Sequence, residues 1–240
     1  MRGMVLRAWH RSVFAGIGLV LWGGLLAFGA VLAHMSMVSA GESGVSPTVW
    51  PDDSGLLRED GRTSVLVFVH PRCPCTSSTL HNLASVLRGR GDGPGGADVT
   101  IVRSGPGVRA EDRAADSVAV GPLRVRAVLD TDGAEARRFG VRTSGHVIVV
   151  DVLGRVVFSG GVTPGRGHVG ACDALARFER AVLAGGGEEA PEVVLGALML
   201  PVYGCPIFDE AACADETAPC CTPPLAGDPL SYERVISQGR

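Results

Sequence analysis

Two cysteines flank a single proline in "PRCPCT", residues 71–76, directly after the apolar run "SVLVFVH", residues 64–70. Sulfurs at that spacing admit three chemistries: a redox pair, a clip for a soft metal, or two inert thiols. Proline is favoured at the first helical position, where its missing N–H would be unbonded anyway. Pro74 is therefore expected to open a helix, with Cys73 as its N-cap. A thiolate there would accept hydrogen bonds from the amides of Cys75 and Thr76 and face the positive end of the helix dipole. Both effects lower a thiol pKa. Arg72 and His70 would add positive charge. Cys73 is thus the candidate nucleophile, and Cys75, inside the first turn and less exposed, its resolving partner. The spacing imposes a cost. Side chains at i and i+2 of a helix point about 200° apart, so a bond between them closes a small, strained ring. A strained disulfide is easily reduced, which suits exchange better than stapling.

The elements that must hold this pair are legible around it. "SVLVFVH" has the length and continuous apolarity of a strand buried on both faces. After the cysteines, Leu80, Leu83, Ala84 and Leu87 fall at i, i+3, i+4, i+7, a helical stripe. "VTIVRS" (99–104) and "VRAVLD" (125–130) read as further strands, and "GAEARRFG" (133–140) as a short helix. "HVIVVD" and "RVVFSG", on either side of "VLG", form an expected antiparallel hairpin. "ACDALARFERAVLAG" (171–185) carries Leu175, Phe178 and Val182 on one helical face. Strands and helices alternate first, and a hairpin and helix finish. The expected fold class is α/β, a three-layer sandwich with a mixed sheet.

The N-terminus bears on the compartment. Residues 13–33 carry no charge, and as a helix they would span about 32 Å, enough for a bilayer core of roughly 30 Å. Arg2, Arg7 and Arg11 precede this run, and no acidic residue appears before Glu42. The positive-inside rule then keeps the N-terminus in the cytoplasm and sends the rest across. A cleaved signal peptide, ending near "VSA" (38–40), is the rival reading. Both place the remainder of the chain outside the cytoplasm, where disulfides persist. The 240 residues are 46% hydrophobic and 20% charged, so a packed core is expected. The net charge of -3 gives no electrostatic footprint for nucleic acid. Every basic residue is arginine, which we read as compositional bias.

The strand, the Pro-Cys dipeptide at a helix start, and "RRFGVRTSGHVIVVDVLGRVVFSGG" (137–161) resemble the thioredoxin fold. More narrowly, "HPRCPCT", "TSGHVIVVD", "FSGGVTPGRGH" and "PVYGCPIF" resemble the thioredoxin-like proteins called RedB, over residues 46–208. The resemblance implies a thioredoxin-like three-layer sandwich and redox-active Cys73 and Cys75. It also implies a substrate loop at Thr143, Ser144 and Gly145, where Gly145 replaces the family's cis-proline and one residue, not two, separates the cysteines. Peroxiredoxins have a threonine three residues before the reactive cysteine. His70 stands there instead, which argues against a peroxidase. The expected layout is a cytoplasmic N-terminus (1–12), a transmembrane anchor (13–33), a linker (34–57), the thioredoxin-like domain (58–185) and a cysteine-rich acidic extension (186–240).

Five cysteines remain. Cys205, Cys213, Cys220 and Cys221 lie in an acidic, proline-rich segment whose simplest expected cross-links are stapling disulfides. A relay passing electrons to Cys73 and Cys75, or a metal site, is the alternative. Cys172 reads as a small buried hydrophobe. Cys73 and Cys75 with His70 or His146 would make a soft Cu(I) site. His168 is expected to bond its own loop, and "DTDG" (130–133) to be a turn rather than a calcium loop. Three functions stay open: a membrane-anchored extracytoplasmic thiol-disulfide oxidoreductase acting on a thiol- or disulfide-bearing protein, without cofactor; a Cu(I)- or thiol-binding accessory protein, with copper as ligand; or a non-catalytic module of the same fold.

Overall fold

A computed structural model describes residues 2–88, 96–105, 108, 125–184 and 200–208. Two units divide the chain, one ending at Ser39 and the other beginning at Ala40. The first is helix α1, Arg2–Val38. Within it Phe14–Met35, 22 residues, is long and apolar enough to cross a membrane, and its side chains, such as Leu19, Val20 and Trp22, are exposed. Length and apolarity of this kind fit a membrane anchor or a signal sequence.

The second unit is built on a five-stranded mixed sheet. Its elements are β1 (Thr63–Val69), α2 (Thr76–Leu87), β2 (Ala97–Ser104), β3 (Val125–Asp130), α3 (Ala134–Arg138), β4 (His146–Val150), β5 (Val156–Gly160) and α4 (Asp173–Ala184). The strand order is β3-β2-β1-β4-β5. The first three run parallel; β4 is antiparallel to β1, and β5 antiparallel to β4. Because strand side chains alternate, the apolar run of β1 feeds two cores. Val65, Val67 and Val69 pack with Leu80, Leu83 and Leu87 of α2 and Phe178 and Val182 of α4. Leu66 and Phe68 pack on the opposite face with Ala136 and Phe139 from α3 and its end. Each such side chain contributes about 1.5–3 kcal/mol when fully buried. This is the expected three-layer α/β sandwich, with the central strand delivering Cys73 and Cys75 at its end.

Two expected boundaries are corrected. Residues 41–57 were expected as part of a linker, yet they are bonded into this unit. The Val156 amide donates to the Thr48 carbonyl (2.8 Å), the Trp50 amide to Gly154 (2.8 Å), and Val49 bridges Arg155. Trp50 meets Phe139 edge-on at 5.3 Å, and Leu56 is buried. Nor does the folded unit stop at residue 185. Residues 200–208 return to it: the Leu200 amide donates to Ser159 (3.2 Å), Gly41 donates to Val202 (2.8 Å), and Val202 and Ile207 are buried. Main-chain pairing holds both segments, and polar, glycine- and proline-rich composition hides that kind of pairing from a pattern search.

"DTDG" is a turn, as expected. The Gly133 amide donates to the Asp130 carbonyl at 3.0 Å. The buried Asp130 carboxylate takes the Glu135 and Ala136 amides, both at 3.0 Å, and the Ser104 hydroxyl at 2.8 Å.

Candidate functional site

The end of β1, the start of α2 and the loop before β4 meet around three sulfurs. Cys73, Cys75 and Cys205 form a buried cluster of their own, with 5%, 8% and 5% of their surfaces exposed. The helix begins two residues later than expected. Cys75, not Cys73, is the N-cap of α2, in helical backbone conformation (φ -73°, ψ -15°) and without a side-chain cap. The amide expected to bond the Cys73 sulfur is used otherwise: Thr76 donates to the Cys73 carbonyl at 3.1 Å. Cys75 is also no less exposed than Cys73.

The Cys73 sulfur is nonetheless surrounded by donors. The thiols of Cys205 and Cys75, the Cys205 amide and the Ser144 hydroxyl all donate to it. The Cys205 thiol is the leading cause, and together they outweigh burial and hold the Cys73 pKa well below the ordinary thiol range. Cys75 moves the other way. Its thiol gives its proton to the bond with Cys73, and burial and the Cys73 negative charge also raise its pKa. The surroundings therefore polarise the pair, favouring the thiolate at Cys73 and the thiol at Cys75. A thiolate is the nucleophilic form of sulfur.

Local sequence explains how these donors are aimed. Ser144 accepts from the His70 amide (2.9 Å) and lies 3.5 Å from the Thr76 hydroxyl, and its own hydroxyl helps lower the Cys73 pKa. Gly145 bonds the end of β1 through its amide, 2.8 Å from the Phe68 carbonyl. It sits at φ +88°, and a Cβ there would lie 2.9 Å from the Thr79 hydroxyl, so the position requires glycine. The Gly167 amide reaches Cys75, and Arg166 lies near it. Their loop is tied to α2 by Asn82, which donates to Val162 (2.8 Å) and accepts from Gly170 (3.1 Å).

Of the expected loop residues, Ser144 lies beside Cys73, the Gly145 amide bonds the Phe68 carbonyl, and buried Thr143 donates its hydroxyl to the Glu42 carbonyl. Chain residues 203–207 already run along that loop. Ser144 donates its amide to the Cys205 carbonyl (2.9 Å), Ile207 donates to Arg142 (2.8 Å), and Thr143 bridges Pro206 antiparallel. Cys205 was expected to staple a tail. It sits instead against the cysteine pair. "PVYGCPIF" held a signal for this: Val202, Ile207 and Phe208 are apolar residues that had no assigned core. Cys213, Cys220 and Cys221 lie outside the described residues.

The histidines do not join the sulfurs. The His146 ring is fully buried and shares a 2.7 Å hydrogen bond with Ser159, whose hydroxyl meets that of Ser46 at 2.7 Å. Burial pushes the His146 pKa down to about 4. His70 uses Nδ1 to accept the Arg72 amide at 3.3 Å. Among the described residues no three His, Cys, Asp or Glu side chains are grouped to hold a metal ion, so neither His70 nor His146 adds a third ligand to Cys73 and Cys75. His168 bonds its own loop, Nδ1 to the Arg166 carbonyl at 2.7 Å. Cys172, expected in a core, is partly exposed and accepts the Leu175 amide (3.4 Å) at the start of α4.

Solved structures resemble the whole arrangement. One is a hypothetical protein of Sinorhizobium meliloti 1021, 21% identical, covering 71% of this chain and 94% of that one with a TM-score of 0.50. Another is an uncharacterized conserved protein of Geobacillus kaustophilus, 17% identical, covering 72% and 93%, TM-score 0.51. A secreted disulfide oxidoreductase of Mycobacterium tuberculosis is 19% identical over 52% of this chain and 83% of that one, TM-score 0.36. No protein-family model and no curated protein matches the chain. At these identities the likeness speaks for the fold alone, a mixed five-stranded sheet between helices.

Proposed function

We propose that this chain is a membrane-anchored, extracytoplasmic thiol-disulfide oxidoreductase of the RedB type, with Cys73 as its nucleophile. One observation carries the reading: Cys73, Cys75 and Cys205, from two distant segments, share one buried cluster at the end of β1, in surroundings that lower the Cys73 pKa. An inert buried thiol would have no use for such a set. In the exchange, the Cys73 thiolate attacks one sulfur of a disulfide in a partner protein. The partner's other sulfur leaves as a thiolate and takes up a proton. A second thiol of this chain then attacks the Cys73 sulfur and releases the partner's remaining thiol. Two electrons pass to the partner, and the same steps reversed would oxidise it. No cofactor is needed.

The test is a redox titration of the full chain in detergent, with mass-spectrometric mapping of each thiol. A reversible two-electron couple that includes Cys73 is expected, at a potential less negative than the roughly -300 mV bound of structural disulfides. Absence of any couple, with stoichiometric Cu(I) held by Cys73 and Cys75, would overturn the proposal in favour of a metal-binding protein.

A further inference from the structure

Cys75 is a poor ring partner for Cys73. It caps α2 in helical conformation, two residues from Cys73, and its sulfur is engaged by the Gly167 amide. Closing a bond between residues so near in sequence distorts the turn that begins the helix. Cys205 is free of that constraint. It arrives on a separate segment, donates its thiol and its amide to the Cys73 sulfur, and is held by main-chain pairing on both sides. The seating is close: a Cβ on Gly204 would fall on the Ser144 carbonyl oxygen. Val202 and Ile207 anchor the segment's ends in the core.

We propose that Cys205, carried on the strap Val202–Ile207, is the resolving thiol, and that the oxidised protein holds a Cys73–Cys205 disulfide. This rests on the oxidoreductase reading and names the second thiol of its exchange. With glutathione disulfide as oxidant, the Cys73 thiolate forms a mixed disulfide and expels one glutathione thiolate. Cys205 gives up its proton to that thiolate, attacks the Cys73 sulfur and expels the second glutathione as a thiolate, which takes a proton from water. The two cysteines lose two electrons, and glutathione disulfide becomes two thiols. The strap also fills the backbone edge of residues 142–144.

The test uses the full chain in detergent, oxidised with glutathione disulfide and digested without reduction. Cleavage after Tyr203 and Phe208 separates Cys205 from Cys213, Cys220 and Cys221. The expected product is the Cys73 peptide joined to the Cys205 peptide, retained in Cys75→Ser and lost in Cys205→Ser. The oxidised form should also melt at a higher temperature than the reduced form, since the link closes a loop of about 130 residues. Gly204→Ala should unseat the strap, lower the yield of the link and speed alkylation of reduced Cys73. A Cys73–Cys75 disulfide whose potential is unchanged in Cys205→Ser would overturn this inference and leave the oxidoreductase reading intact. A wild-type protein with no couple at all would sink the oxidoreductase reading itself.

Discussion

Cys205 lies against Cys73 in one buried cluster, although about 130 residues lie between them in sequence. That contact makes the Cys73 environment a product of three chain segments, and it is the basis of the first expectation.

Reduced Cys73 should react as a thiolate well into the acid range. An ordinary thiol near pKa 8.5 loses about tenfold in thiolate for each pH unit below that value. Cys73, with its pKa lowered by donors, should alkylate at a rate nearly independent of pH between about pH 8 and 6. Ser144→Ala removes one donor to a charged sulfur, an interaction of about 1.5–3 kcal/mol, and should raise the apparent pKa by roughly one to two units. A wild-type rate that drops tenfold per unit across this range would refute the thiolate assignment.

Gly145→Ala should destabilise the fold by about 1–2 kcal/mol, the cost of left-handed backbone for an L-residue, with the approach to Thr79 adding to it. The loop also carries Ser144, so the pH profile of Cys73 alkylation should shift upward in the same variant. Denaturant unfolding checks the first effect and alkylation the second. Wild-type stability in this variant would show that the loop tolerates a side chain.

His146 should make the protein acid-sensitive. Its folded pKa is about 4, below the unfolded value of about 6.5, because burial disfavours the imidazolium. Between these values the unfolded chain binds the extra proton, so stability falls as pH drops from about 6.5 towards 4. The full effect is on the order of 3 kcal/mol. Unfolding free energies measured along that window should flatten in His146→Gln. An equal slope in wild type and variant would assign the acid sensitivity to other groups.

A reporter that is active only outside the cytoplasm, fused after Arg240, should be active. The apolar span Phe14–Met35 and the arginines before it orient the chain that way. Activity of a cytoplasm-only reporter at the same site would reverse the topology and remove the compartment in which the proposed disulfide persists.

Much of the fold was legible in the residues. The period-2 and continuous apolar runs marked all five strands, and the stripe of Leu80, Leu83 and Leu87 marked α2, because burial on a strand or helix face leaves a local rhythm. The position of Cys73 and Cys75 after the first core strand was legible for the same reason. The cap was misplaced by two residues, since Pro74 is compatible with a turn as well as a first helical residue.

What the sequence by itself determined, then, is the order of strands and helices, the apolar N-terminal segment and the address of the Cys-Pro-Cys turn. These follow from interactions between residues a few positions apart. Tertiary structure alone decided that Cys205 lies on Cys73, that residues 41–57 and 200–208 belong to the folded unit, and that His146 turns to Ser159. Each of those depends on pairing between main-chain groups or side chains far apart in sequence. A hydrogen bond between distant amides and carbonyls leaves no pattern in residue types, so only the folded chain could bring the third sulfur to the other two.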